Sequence, residues 1–150
     1  MSRYDSGQSL FEVIMALAMA TLIMVALVAL AASSIKNSSY SRNKTYATRY
    51  TQDAMEWLRG QRDGDWDDFS TNFMYCSTPP HTQCLDTLVW GNCDTCSNTE
   101  LLGDLFKREV SFSEIAADSV TVEITTYWSD SQGIHEVRNS TILTDWRTLN

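Results

Sequence analysis

Twenty consecutive residues, Val13 to Ala32, carry no charge, and Thr21 is the only polar one among them. About 20 apolar residues are what a helix needs to cross roughly 30 Å of hydrocarbon. A secretory signal has a shorter apolar core and a small-residue cleavage site, for which Ala31-Ala32-Ser33 is the nearest match. After the run the pattern changes rather than stops. Ile35, Ala47, Tyr50, Ala54, Trp57 and Leu58 recur at three- and four-residue steps with polar residues between them, which predicts an amphipathic helix with a narrow apolar stripe. No proline or glycine lies between Gly7 and Gly60, so both stretches predict one helix over 8–60, its membrane part about 10–32. From Gln8 to Arg59 it would be about 78 Å long at 1.5 Å per residue, with Gly60 as its stop. Beyond Phe69 the texture is that of loops, with both prolines between Cys76 and Cys84 and a turn at Trp90-Gly91-Asn92-Cys93. Strand signals follow. Phe106–Phe112 is short, and Val120, Val122, Ile124, Thr126 and Trp128 alternate with polar neighbours as one half-buried strand. Ser129 to Gly133 reads as a hairpin connection, and Ile134 to Leu143 returns antiparallel. The expected fold class is α+β, a long N-terminal helix packed on a small C-terminal antiparallel sheet, with strands over about 106–144.

The remaining composition narrows the picture. The net charge is −8 and nearly all the acid lies beyond Gln52, so a phosphate-binding footprint is missing and no nucleic acid is expected as partner. The head, 61–150, is small enough to have a thin core that staples would help. Cys76, Cys84, Cys93 and Cys96 fall within one loop, 76–96, in a chain carrying an export-type apolar segment; this reads as an oxidised, extracytoplasmic domain. Lys36, Arg42, Lys44 and Arg49 follow the span without an acid before Asp53, which alone would favour a cytoplasmic head. The cysteines argue the opposite way.

The stretch Gly7-Gln8-Ser9-Leu10-Phe11-Glu12, directly ahead of the apolar run, resembles the N-terminus of type IV pilins and type II secretion pseudopilins. In that family a short leader ends in Gly and Glu stands at the fifth mature position. The resemblance implies that 1–7 is a leader cut by prepilin peptidase between Gly7 and Gln8, with Gln8 then N-methylated. It also implies that Glu12 pairs, on assembly, with the freed amine of a neighbouring subunit. The physical basis is cost: a carboxylate in a membrane helix is unfavourable by roughly 2.5–3.5 kcal/mol at the bilayer centre, less near its edge, and gains from a positive partner as its surroundings lose water. The bland alternative is that Glu12 snorkels to the headgroups. Gln8 departs from the family, where Phe or Met is commoner. Ala54-Met55-Glu56 through Arg62-Asp63 with Trp66, and the final strand pair followed by Thr144-Asp145-Trp146, resemble the minor-pilin branch.

Other chemistry is weaker. Cys93-Asp94-Thr95-Cys96 has redox spacing, but its acidic flanks would raise a thiol pKa. His81 with Cys84, Cys93 and Cys96 lacks the second close pair of a zinc ribbon. Two structural disulfides remain, each contributing ~2–4 kcal/mol; three connectivities are open, and nested pairing of Cys76 with Cys96 and Cys84 with Cys93 suits a hairpin-like loop. Asp63, Asp65 and Asp67 start like a calcium loop, yet Asp68 stands where Gly is needed and Met74 where Glu is. No catalytic constellation or cofactor motif is visible, so an enzyme is not expected.

The expectation is therefore a structural subunit, a minor pilin or pseudopilin of a type IV pilus or type II secretion-like filament. Its partners would be other such subunits, prepilin peptidase, an inner-membrane assembly platform and, before assembly, lipid. It would be single-pass in the inner membrane with an extracytoplasmic head, then part of a surface or periplasmic filament. The alternative is a signal-anchored extracytoplasmic binding module that never polymerises.

Overall fold

The computed structural model describes residues 6–76, 79 and 81–147, with side chains from Leu10 onward. Two helices and four strands follow one another: α1 (Ser6–Gly64), α2 (Trp66–Met74), β1 (Gln83–Cys84), β2 (Lys107–Ser113), β3 (Ser119–Asp130) and β4 (Gly133–Thr144). The strands form one antiparallel sheet in the order β1-β2-β3-β4. The fold is α+β, with a long apolar-ended helix and a small four-stranded antiparallel sheet. The chain divides into two compact units, 1–42 and 43–150, and α1 runs through both.

In the first unit the described residues belong to α1 alone, and from Leu10 every side chain through Ser39 is exposed. In the second, α1 lays Ala47, Thr51, Ala54, Met55 and Leu58 on the sheet at helical spacing. Phe69 and Phe73, one turn apart on α2, join them. From the sheet come Val110 and Phe112, then Val120, Val122 and Ile124, then Leu143, all buried. Phe73 stacks on Phe112 at 5.2 Å and meets Phe69 edge-on at 5.1 Å. Thr51 is polar but belongs inside, because its hydroxyl bonds that of Thr126 on β3 at 2.8 Å. Ile35, counted in the apolar stripe, is exposed instead.

Three expectations need correction. α1 ends at Gly64, not at Gly60. Gly60 does not take the left-handed conformation that would close a helix, and the terminus is made further on, where Arg147 donates to the carbonyls of Asp63 and Gly64. The acidic segment after α1, which starts like a calcium loop in the sequence, is the start of α2. The Asp65 carboxylate accepts from the amides of Asp67 at 2.9 Å and Asp68 at 3.1 Å, and those two acids favour the positive helix end. β1, only two residues long, was not expected.

Candidate functional site

The first candidate site is the N-terminal stem. Gly7 and Gln8 lie in α1, and their side chains, like all of 1–5, are outside the described residues. The helix from Leu10 has an 18-residue window of mean hydropathy 2.8, none of it buried. It is the one helix among the described residues long and apolar enough to cross a membrane. Leu22 is 71% exposed and Val28 69%, on different sides of the helix, so the surface is apolar all round. Such a surface requires lipid or protein around it. Glu12 stands exposed near its start, before the uncharged twenty residues.

The second is the braced loop of the head. Cys76 bonds Cys93 and Cys84 bonds Cys96, and no cysteine is free. The pairing is interleaved, not nested. Its reason is local register: Gln83 sits opposite Cys93, the amide of Cys84 donates to Asn92 O, and that of Asp94 donates to Thr82 O. In such a ribbon neighbouring residues face opposite ways, so Cys84 and Cys93 cannot meet. Cys84 pairs across the sheet with Glu109, whose carboxylate accepts the Cys96 amide at 2.8 Å, and this brings Cys96 to Cys84. Gly91 closes the loop, because a Cβ there would lie 1.8 Å from Cys84 O. With every thiol oxidised, the zinc set that included His81 has no thiolate to offer, and Cys93 and Cys96 are not a redox pair with each other.

The weak calcium candidate does not assemble. Asp65 caps α2, and the Asp63 carboxylate accepts from Trp146 Nε1 at 3.2 Å and from Arg62 at 2.9 Å. Asp67 faces solvent. Among the described residues no group of three or more His, Cys, Asp or Glu is placed to hold a metal ion. The Trp146 bond, then that from Arg62, holds Asp63 below its ordinary value.

Two features escaped the sequence reading. Arg108 of β2 is buried, its guanidinium donating to Leu85 O at 2.9 Å and to Tyr50 O on α1 at 3.0 Å. Burial pushes its pKa down, opposed by Asp53 and Asp86. The signal was its place in the strand, an inward position between Phe106 and Val110. The other is Arg147, whose guanidinium lies 5.5 Å from the Trp146 ring centroid while it caps α1. On the opposite sheet face a groove of about 500 Å³ is lined by Asn98, Leu105, Lys107, Glu109, Tyr127 and Ile134. Its charges are partly committed, Lys107 to Asn98 at 2.8 Å and Glu109 to the Cys96 amide. Comparison with family models, with curated proteins and with solved structures finds no match.

Proposed function

We propose that the chain is a structural subunit, a minor pilin or pseudopilin, of a type IV pilus or type II secretion-like filament. The observation that carries the reading is the coupling of Gly7-Gln8-Ser9-Leu10-Phe11-Glu12 to one helix, α1, that runs on uncharged from Val13 to Ala32 and is exposed throughout that stretch. Prepilin peptidase would cut after Gly7 and methylate Gln8. The new amine would then be available to the Glu12 carboxylate of a neighbouring stem. In lipid no hydrophobic drive separates helix–helix from helix–lipid contact, so close packing and this ion pair would set register. A small disulfide-braced head on a helix continuous with the stem supports the same reading, since it suits the oxidising side of the membrane. That side is extracytoplasmic, with the stem anchored in the inner membrane until an assembly platform extracts it.

The test is intact mass and N-terminal peptide mapping of the protein from membranes with active prepilin peptidase. A terminus at Gln8, heavier by the roughly 14 Da of a methyl group, is the expected result. A protein still starting at Met1 removes the filament reading and leaves a membrane-anchored binding module.

A further inference from the structure

The groove of about 500 Å³ on the outer face of the sheet lies wholly within the second unit, where the loop holding Asn98 and Leu105 meets β2 and β3. Its size suits a small ligand or a few residues of peptide. Leu105, Ile134 and the Tyr127 ring make its walls largely apolar, and Ile134 is 80% exposed. Register places its polar groups. Lys107, Tyr127 and Glu136 stand opposite one another across β2, β3 and β4, and Glu109, Thr125 and Arg138 form the next row on the same face. Tyr127 therefore has Glu136 directly beside it and Glu109 on the diagonal, within reach of a long side chain.

The charges on and beside the groove do not cancel. Lys107 donates to Asn98 Oδ1 at 2.8 Å and its charge acts on Glu100, so its ammonium is drawn to the loop side. Arg138 is engaged twice, by Glu136 at 2.9 Å and by Glu123 at 3.6 Å. Glu109 gives one oxygen to the Cys96 amide, and its other oxygen accepts no bond from the described residues. Glu100, Glu109, Glu123 and Glu136 thus outnumber Lys107 and Arg138, and residues 43–150 as a whole carry seventeen Asp and Glu against eight Lys and Arg. Burial, and then the charge of Glu109, raises the Tyr127 pKa, so the ring stays a neutral phenol.

We infer that this groove binds a short peptide segment of another protein in which a Lys or Arg stands between apolar residues. The cation lies over the Tyr127 ring with Glu109 and Glu136 on either side, where the face of a neutral phenol and two carboxylates attract it. Its apolar neighbours cover Leu105 and Ile134, and Lys107 and Asn98 keep donors for the backbone carbonyls of the segment. An acidic segment would meet four carboxylates while both local cations are already engaged. A wholly apolar one would take Glu109 out of water with nothing in exchange. The surplus acid of the head also steers a basic partner toward it. None of this depends on leader cleavage or on a filament.

The test titrates acetyl-Leu-Arg-Leu-amide, and the same peptide with Gln or Glu at its centre, into the full-length chain in detergent micelles while backbone amide NMR shifts are followed. The Arg peptide is expected to shift the amides of Lys107, Glu109, Tyr127 and Ile134 and to bind about fivefold or more tighter than the Gln peptide, with the Glu peptide weakest. That margin should shrink between about 0.05 M and about 0.5 M salt. Glu109→Gln keeps an oxygen for the Cys96 amide but removes the charge, and is expected to lose most of the Arg peptide's advantage with both disulfides still formed. No shift of these amides by any of the peptides, equal binding of all three, or an advantage untouched by Glu109→Gln overturns the inference. Shifts of the same amides that grow with protein concentration in the absence of peptide overturn the different-protein partner in favour of a second copy. A chain still starting at Met1 would remove the filament reading without touching this result.

Discussion

Arg108 is a cation in the interior whose hydrogen bonds go to carbonyls, one on α1 and one in the loop after β1. It ties three segments, β2, α1 and the loop after β1. Replacing it by Ala leaves both carbonyls short of a donor and opens a void, so Arg108→Ala is expected to cost about 2 kcal/mol or more in urea unfolding of the detergent-solubilised chain. Lys has one nitrogen where two separate donors are needed, so Arg108→Lys should recover little of the loss. Asp63 makes a prediction of opposite kind, one of pH. Its folded pKa is depressed by Trp146 and Arg62, so its contribution is present above the ordinary carboxylate range and lost as pH falls through the folded value. Stability measured from about pH 5 to pH 2 should fall more steeply in the native chain than in Asp63→Asn, which has no such proton to bind. Parallel curves would show that the Trp146 contact carries no linkage.

At the scale of elements, β3 and β4 were legible because each alternates with period two and Gly133, with φ near +127°, provides the turn between them. α2 was hidden by its own cap. Read along the sequence, Asp65, Asp67 and Asp68 suggest solvation; only when Asp65 bonds two amides does the acidic run become a helix start with Phe69 and Phe73 facing inward. The glycine at 60 gave a false stop because an isolated helical glycine costs only about 1 kcal/mol relative to Ala. Burial of Leu58 and the distant Arg147 cap carry the helix past it. The cysteine loop was legible as a disulfide region but not in its connectivity, since that depends on which residue faces Gln83. Two measurements follow. Non-reducing peptide mapping should recover Cys76 with Cys93 and Cys84 with Cys96, and a Cys76–Cys96 peptide would contradict the register described above. Gly91→Ala, lacking room beside Cys84 O, should leave a fraction of alkylatable thiol in otherwise intact protein.

For the whole molecule the controlling contrast is between the apolar first part of α1, exposed from Leu10 through Ala32, and a head that buries Phe69, Phe73, Phe106, Phe112 and Trp128. The first part of α1 was readable from twenty uncharged residues, and no tertiary contact was needed to find it. Glu12 belongs to this scale, because under the proposed function its value depends on other chains. Under the proposed function Glu12→Gln should remain membrane-bound after an alkaline wash yet appear in sheared filaments at a small fraction of the native amount. Equal incorporation would mean that stem packing alone sets register.

The interleaved disulfides bear on how the head is made. Under the proposed function the chain is threaded across a membrane stem first and presents its cysteines in order, and the first two to arrive, Cys76 and Cys84, are not partners. An oxidant acting on them as they emerge would trap the wrong loop. The native pattern therefore favours a compartment that either delays oxidation until Cys96 has crossed or reshuffles early bonds, so productive synthesis is expected to depend on thiol–disulfide isomerisation as well as on oxidising power.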